Sequence, residues 1–171
     1  MRRILLSCAI LAVLALLVAA SAGAHEPGKT GFLVVKQGAG DGGRPIVTLA
    51  VHGFVLGSVG PQDEAQVTII PLNSAQGAPQ VAPTDITPHP VRYGRSTGVT
   101  YRGSGFRFRA VGGYYRVVVR GSGVYLFAGG VGNVKLQGSS FDRQGDGRYS
   151  IDGKRLRSLP TKVLKRQIGG G

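Results

Sequence analysis

Glycine divides this chain into short apolar runs along most of its length. Ten runs rich in Val, Ile, Thr, Phe and Tyr are separated by Gly, Pro, Asn or Asp, and no segment has a convincing helical period. Strands at this regular spacing are typical of an all-β sandwich or barrel. We therefore predict a single sandwich or barrel-like domain of about ten short strands. The predicted strands are 32–36, 46–51, 54–59, 66–70, 99–102, 106–111, 114–120, 124–128, 133–137 and 148–151.

The first 24 residues have the order of a secretory signal peptide. Arg2 and Arg3 precede an unbroken apolar run over 4–20, and Ala-Gly-Ala at 22–24 is a small-residue cleavage site. The competing interpretation is a retained membrane anchor, for which about 17 apolar residues is the short limit. We predict cleavage after Ala24 and a mature chain that is secreted or associated with the cell envelope, with no transmembrane segment.

The mature chain divides into three predicted parts. Residues 25–160 form the all-β domain, and the proline-rich stretch 71–90 is either a crossover within it or a linker between two β modules. Residues 161–171 are basic and end in three glycines, which predicts a flexible tail. The single cysteine, Cys8, lies in the signal segment, so the mature chain has no disulfide and no thiolate metal site.

Positive charge is concentrated in the second half of the chain. Without Arg2 and Arg3, 19 basic residues face 8 acidic ones, and 16 of the basic residues lie within 91–171 against three acidic ones. Such a segment attracts polyanions of any kind. Outside the cell these include anionic lipid, wall polymers and acidic polysaccharide, and specific recognition of nucleic acid is not expected.

The stretch 105–120 predicts a basic hairpin. Gly112-Gly113 between two alternating runs is a strong two-residue turn signal. This register pairs Val111 with Tyr114 and Arg109 with Arg116, and it separates an apolar face from a charged face. The apolar face consists of Phe106, Phe108, Ala110, Tyr115, Val117 and Val119.

Two interpretations of the charged face remain open. The arginines either splay into water and stack on Tyr114, or they form an anion-binding surface with Tyr114, since guanidinium groups suit phosphate and carboxylate. The predicted anion-binding residues are Arg107, Arg109, Arg116, Arg120 and Tyr114, and Arg92, Arg95 and Arg102, interleaved with Tyr93 and Tyr101, extend the surface.

Few groups in the sequence are suited to catalysis. No Ser-His-Asp or paired-carboxylate arrangement is legible, so we predict a non-enzymatic protein without a cofactor. The alternative is a copper-binding protein or copper-dependent enzyme. Cleavage after Ala24 exposes His25, whose free amine and imidazole together can chelate copper. Such a site needs a second histidine, either His52 or His89.

Several motifs in the second half resemble a known group of proteins. They are Gly-Phe-Arg-Phe-Arg at 105–109, Tyr-Arg-Val-Val-Val-Arg-Gly-Ser-Gly-Val at 115–124, Gly-Asn-Val-Lys-Leu-Gln-Gly at 132–138, Gly-Arg-Tyr-Ser-Ile-Asp-Gly at 147–153 and Leu-Pro at 159–160. They look like a poorly characterised group of secreted, glycine-rich β proteins of high-GC actinobacteria. The resemblance covers about residues 92–160. It implies export and a β fold, and it implies no activity.

Replacing Ala22 and Ala24 by bulky residues tests the predicted cleavage site. We expect uncut precursor, because the peptidase accepts only small side chains at these two positions. Mass spectrometry of the exported protein measures the N-terminus, and unaltered processing of the variant would disprove the assignment.

Overall fold

The structure is a computed structural model that describes residues 30–37, 45–73, 79–82, 86–139 and 146–170. These residues contain eleven strands and no helix, which confirms the prediction of an all-β fold. In chain order the strands are β1 (Gly31–Lys36), β2 (Ile46–Val59), β3 (Ala65–Pro71), β4 (Gln80–Ala82), β5 (His89–Tyr93), β6 (Ser96–Gly103), β7 (Arg107–Gly121), β8 (Val124–Gln137), β9 (Arg148–Ile151), β10 (Arg157–Ser158) and β11 (Leu164–Ile168).

All described strands belong to one antiparallel sheet. Its order is β10-β9-β1-β8-β2-β7-β3-β6-β5, with β11 paired to β8 and β4 paired to β7. Within the described residues β10 and β5 each have a single neighbour, so the sheet is not closed into a barrel. The proline-rich stretch 71–90 contributes β4 and the start of β5 to this sheet. The predicted signal peptide, 1–24, lies outside the described residues.

Three central strands are much longer than predicted. Strands β2, β7 and β8 have 14, 15 and 14 residues. Each strand joins two runs that the sequence predicts to be separate strands. The merged pairs are 46–51 with 54–59, 106–111 with 114–120, and 124–128 with 133–137. In all three strands the glycines between the runs continue the strand instead of ending it.

Three of these glycines lie side by side and form what we call the glycine row. Gly53 of β2 pairs with Gly113 of β7 on one side and with Gly130 of β8 on the other. Gly53 and Gly130 have φ of 152° and 140°, values that residues with a Cβ rarely adopt. A Cβ on Gly53 would overlap the carbonyl oxygen of Gly129, and one on Gly130 would overlap that of His52. The row therefore lets three strand backbones approach and bend together.

The short connection between β7 and β8 shows how strongly the sheet bends. Arg120 pairs with Ile46 at the start of β2, and Val124 pairs with Val59 at its end. Four residue steps from Arg120 to Val124 span at most about 14 Å, and each strand pairing adds about 5 Å. The two ends of β2 therefore lie within about 25 Å of each other, whereas a straight strand of this length would separate them by about 43 Å.

The bend folds the sheet into two layers that cover one core. Layer A contains β1, β4, β9 and β10 with residues 54–59, 107–111 and 124–129. Layer B contains β3, β5, β6 and β11 with residues 46–52, 114–121 and 131–137. Leu33, Val55 and Leu126 of layer A and Ile69, Val117 and Leu136 of layer B are fully buried in the same cluster. Because no described helix covers either inner face, each layer must cover the other.

The Gly112-Gly113 pair does not form the predicted hairpin turn. Both glycines lie within β7, and the register with β2 shifts there, from Gly53↔Gly113 to Phe54↔Val111. Gly112 is the extra residue, a β-bulge with φ of 76°. The predicted pairing of Arg109 with Arg116 is therefore wrong. The predicted faces are nevertheless correct, because the extra residue reverses the alternation and all six apolar residues of this stretch point into the core.

The predicted flexible tail is also wrong for its central part. Residues Leu164–Ile168 form β11, which pairs with β8 from Leu136 to Gly132. Ile168 is fully buried in the core, whereas the neighbouring Lys165 and Arg166 are exposed. Burial of Ile168 and the backbone pairing with β8 hold this basic segment on the sheet.

Alanine substitution of two glycines tests whether close strand approach determines the fold. In Gly132→Ala the new Cβ would overlap the Ala50 carbonyl oxygen and lie 2.8 Å from the Val51 Cα. We expect the free energy of unfolding to fall by about 3 kcal/mol. Gly153 has φ of +70° and open space around it, so Gly153→Ala should lower it by only about 1 kcal/mol. Urea denaturation measures both, and equal losses would contradict the importance of close approach.

Because two tyrosines are buried, we expect the protein to become less stable at alkaline pH. The Tyr115 hydroxyl donates a hydrogen bond to the Val111 carbonyl oxygen across the bulge (3.1 Å). Burial raises the pKa of Tyr115 and of Tyr101 above the usual value. Above about pH 10 the unfolded chain therefore loses phenolic protons that the folded chain keeps, so the free energy of unfolding falls as pH rises.

The variant Tyr115→Phe checks this pH dependence. It should show a smaller fall in the free energy of unfolding on going from neutral to alkaline pH, measured by urea denaturation. Tyr125→Phe is the control, because Tyr125 is 48% exposed. A fall as steep in Tyr115→Phe as in the control would contradict the assignment.

Candidate anion-binding surface

All five predicted site residues lie on β7 and point away from the core. Arg107, Arg109, Tyr114 and Arg120 are exposed and Arg116 is half-buried. Their placement follows from alternation along the strand, which the bulge at Gly112 reverses once. The outer surface of the central strand is therefore basic at both ends.

The bend divides these residues into two clusters instead of one face. Arg109 and Arg116 are seven residues apart on one strand, or about 23 Å if the strand is extended. Arg109 lies between Leu56 and Gln80 in layer A, whereas Arg116 lies between Ala50 and Ile70 in layer B. Because the two layers pack face to face, their outer surfaces point in different directions. A single compact four-arginine surface is therefore ruled out.

In layer B an aromatic ring holds one arginine in place. The guanidinium carbon of Arg116 lies 4.4 Å from the ring centroid of Tyr93 on β5, a cation–π contact. The sequence predicts that the arginines stack on Tyr114. In the structure, Tyr114 lies opposite His52, and its backbone N–H faces the side-chain oxygen of Asn73 at 3.4 Å. Tyr93, from a distant part of the chain, is thus a member of this cluster.

Arg120 and Arg102 lie on either side of Gln66 on the outer surface of layer B. Gln66 of β3 pairs with Arg120 on one side and with Arg102 on the other, so the two arginines flank one amide. Arg102 therefore lies on the same outer surface as Arg120. Tyr101 does not, because it points into the core and is only 8% exposed.

In layer A, Arg107 and Arg109 border a shallow cleft. The short strand β4 pairs with them through Ala82 and Gln80. The cleft has a volume of about 500 Å³, and its floor includes Leu56 and Phe108. Guanidinium groups at the edge of an apolar cleft can hold an anionic group while apolar atoms of the same ligand contact the floor.

The four described carboxylates do not form ion pairs with the arginines of β7. No ion pair joins Arg107, Arg109, Arg116 or Arg120 to a carboxylate within the described ranges. Three of the four described carboxylates accept hydrogen bonds elsewhere. The donors are the Ser122 hydroxyl to Asp63, the Ser139 hydroxyl and backbone N–H to Asp146, and the Phe32 backbone N–H to Asp152. Within the described ranges, the positive charge of β7 is therefore not offset by an ion pair.

Two like-charge pairs on the outer surfaces of the sheet were not predicted from the sequence. Lys135 of β8 lies directly opposite Lys165 of β11, and Lys36 of β1 lies directly opposite Arg148 of β9. Each pair joins strands that are far apart in the sequence, and alternation within one strand gives no information about such a partner. These residues make the outer surfaces more basic than β7 alone does.

The two candidate second histidines of the copper alternative, His52 and His89, lie far apart in the sheet. His52 on β2 and His89 on β5 are both exposed, and β7, β3 and β6 lie between their strands, so about 19 Å separates them across the sheet. No cluster of three metal-ligating residues occurs in the part of the chain that the structure describes. His25 lies outside that part, and copper binding stays a prediction.

Comparisons with known proteins leave the family open. No protein family, curated protein or solved structure matches the chain. The resemblance of residues 92–160 to actinobacterial glycine-rich proteins therefore stays a prediction. In the described ranges, no helix has the length and apolar character needed to span a bilayer.

Proposed function

We propose that this chain is a secreted or envelope-associated, non-enzymatic protein that binds an anionic surface or polymer through the outward arginines of β7. Arg107 and Arg109 act in layer A, and Arg116 and Arg120 act in layer B, where Tyr93 and Tyr114 flank Arg116. The ligand class is lipid, wall polymer or acidic polysaccharide.

One observation carries this proposal: four guanidinium groups project from a single central strand and none is paired with a carboxylate in the described ranges. An arginine at these positions adds nothing to the core, which lies on the opposite face. Guanidinium groups stay protonated at all physiological pH values and present five donors to phosphate, sulfate or carboxylate oxygens. They are suited to binding anions and not to transferring protons, so the proposal assigns no reaction.

The two-cluster arrangement limits how a ligand is engaged. The outer surfaces of layers A and B point in different directions, so a flat anionic surface contacts one cluster at a time. A flexible anionic polymer can pass from one cluster to the other. The contribution of each cluster can therefore be measured separately.

Paired arginine substitutions test the proposal. We expect Arg107→Gln with Arg109→Gln, and Arg116→Gln with Arg120→Gln, each to weaken binding to dextran sulfate by about 30-fold at low salt, since each cation near an anionic surface contributes about 1 kcal/mol. Binding should also weaken steeply as salt rises, because salt screens exposed charges. Affinity chromatography and titration calorimetry measure both effects.

Arg155→Gln with Arg157→Gln is the matched control. These residues are exposed and lie at the far edge of the sheet, at and before β10, and the double variant removes the same charge. We expect it to weaken binding by less than about threefold. If the control loses as much affinity as the β7 variants, binding follows net charge alone and the proposal is wrong.

A further inference from the structure

The outer surface of layer A carries an apolar cluster that the core does not need. The Phe127 ring stacks on Phe32, with ring centroids 5.9 Å apart and planes 10° apart, and it meets Phe54 edge-on at 5.3 Å. Other apolar side chains surround these rings through strand pairing. We call this set the aromatic patch: Phe32, Val34, Phe54, Leu56, Val111, Tyr125 and Phe127.

Several large apolar side chains of the patch are exposed to solvent. Eight large hydrophobic side chains are exposed in the described ranges, and four of them belong to the patch: Phe32 (42%), Leu56 (38%), Val111 (46%) and Tyr125 (48%). Scattered exposed apolar residues are ordinary, but a contiguous group marks an interaction surface.

A structural role explains only part of the patch. The rings of Phe54 and Phe32 are the nearest groups to the position that a Cβ on Gly129 would occupy, so they cover bare backbone at the bend. Covering this glycine does not require Leu56, Val111 and Tyr125 to be apolar. Polar side chains at these outward positions would leave the core unchanged.

Cations lie on both sides of the patch. Arg107 and Arg109 border it on one side, and Lys36 and Arg148, which pair with each other, border it on the other. Of the described carboxylates, Asp152 lies at one end, where it accepts the backbone N–H of Phe32 at 2.9 Å, and Asp63 accepts the hydroxyl of Ser122, three residues before Tyr125. A protein surface usually presents both signs of charge, whereas this arrangement complements a surface that is anionic throughout.

An anionic bilayer satisfies both features at once. Aromatic and aliphatic side chains enter the boundary between headgroups and acyl chains, while flanking lysines and arginines stay among the phosphates. A soluble polyanion would engage the cations but would leave the apolar side chains in water. We propose that the outer surface of layer A docks on anionic membranes by inserting the aromatic patch. This inference rests on the proposed function and names its surface as lipid.

Fluorescence tests the insertion directly, because the chain contains no tryptophan. Tyr125→Trp places one fluorophore in the patch, and Tyr93→Trp places one in layer B. Both tyrosines are 48% exposed. With vesicles of equimolar phosphatidylcholine and phosphatidylglycerol, emission of the Tyr125→Trp variant should shift to shorter wavelength and that of Tyr93→Trp should not. Dextran sulfate should not shift the emission of the Tyr125→Trp variant.

Matched apolar substitutions test the contribution to affinity. Leu56→Ser with Val111→Thr changes the patch, and Leu156→Ser with Val163→Thr makes the same changes at exposed positions outside it. We expect the patch variant to bind the anionic vesicles about tenfold more weakly, through lost apolar burial. It should bind dextran sulfate within about twofold of the parent, because this polymer offers sulfate groups to Arg107 and Arg109 and has no acyl chain to contact Leu56. The control should change neither, and circular dichroism confirms that both variants fold.

The outcomes separate the two proposals. Binding of dextran sulfate and vesicles without a shift of the Tyr125→Trp emission overturns membrane insertion and leaves the proposed function in place. Equal shifts for both tryptophans, or equal losses for the patch and control variants, also overturn insertion through this surface. If the protein binds neither vesicles nor dextran sulfate, both proposals are wrong.

Discussion

Close approach of three backbones at the glycine row is the constraint on which the rest of this structure depends. Gly130, Gly53 and Gly113 lie next to one another on β8, β2 and β7, the three strands at the centre of the sheet. A Cβ on Gly53 or Gly130 would overlap a backbone carbonyl of the neighbouring strand. Because all three strands bend at the same level, one sheet covers its own apolar face, and no helix in the described ranges takes part in the core.

The same bend determines where the charges lie. Gly112 adds one residue to β7, which reverses the alternation so that arginines point outward on both sides of the bulge. Without this extra residue, the arginines of one layer would point into the core, where an unpaired charge is strongly unfavourable. The bulge therefore keeps the core apolar and also directs the two arginine clusters away from each other.

The sequence predicted which residues are buried better than it predicted their partners. The six inward residues around Gly112 were identified correctly because alternation is a local property of the strand. The turn was wrong, since a two-residue hairpin and this β-bulge both require glycine at positive φ. The hairpin turn and the bulge can be told apart only from the partner strand β2, which pairs with β7 on both sides of Gly112. The contact of Arg116 with Tyr93, the burial of Ile168 and the aromatic patch likewise depend on long-range pairings that local patterns do not encode.

Like charges that remain adjacent connect the fold to its proposed ligand. The bend separates Arg109 from Arg116, but Lys135 still faces Lys165 and Lys36 still faces Arg148 across paired strands. Such pairs destabilise a sheet modestly, and all four side chains are exposed, so water and salt screen them. An anion bound between paired cations would remove this repulsion only in the folded state, since unfolding disperses the cations. Binding of an anionic ligand and stability of the sheet are therefore thermodynamically linked.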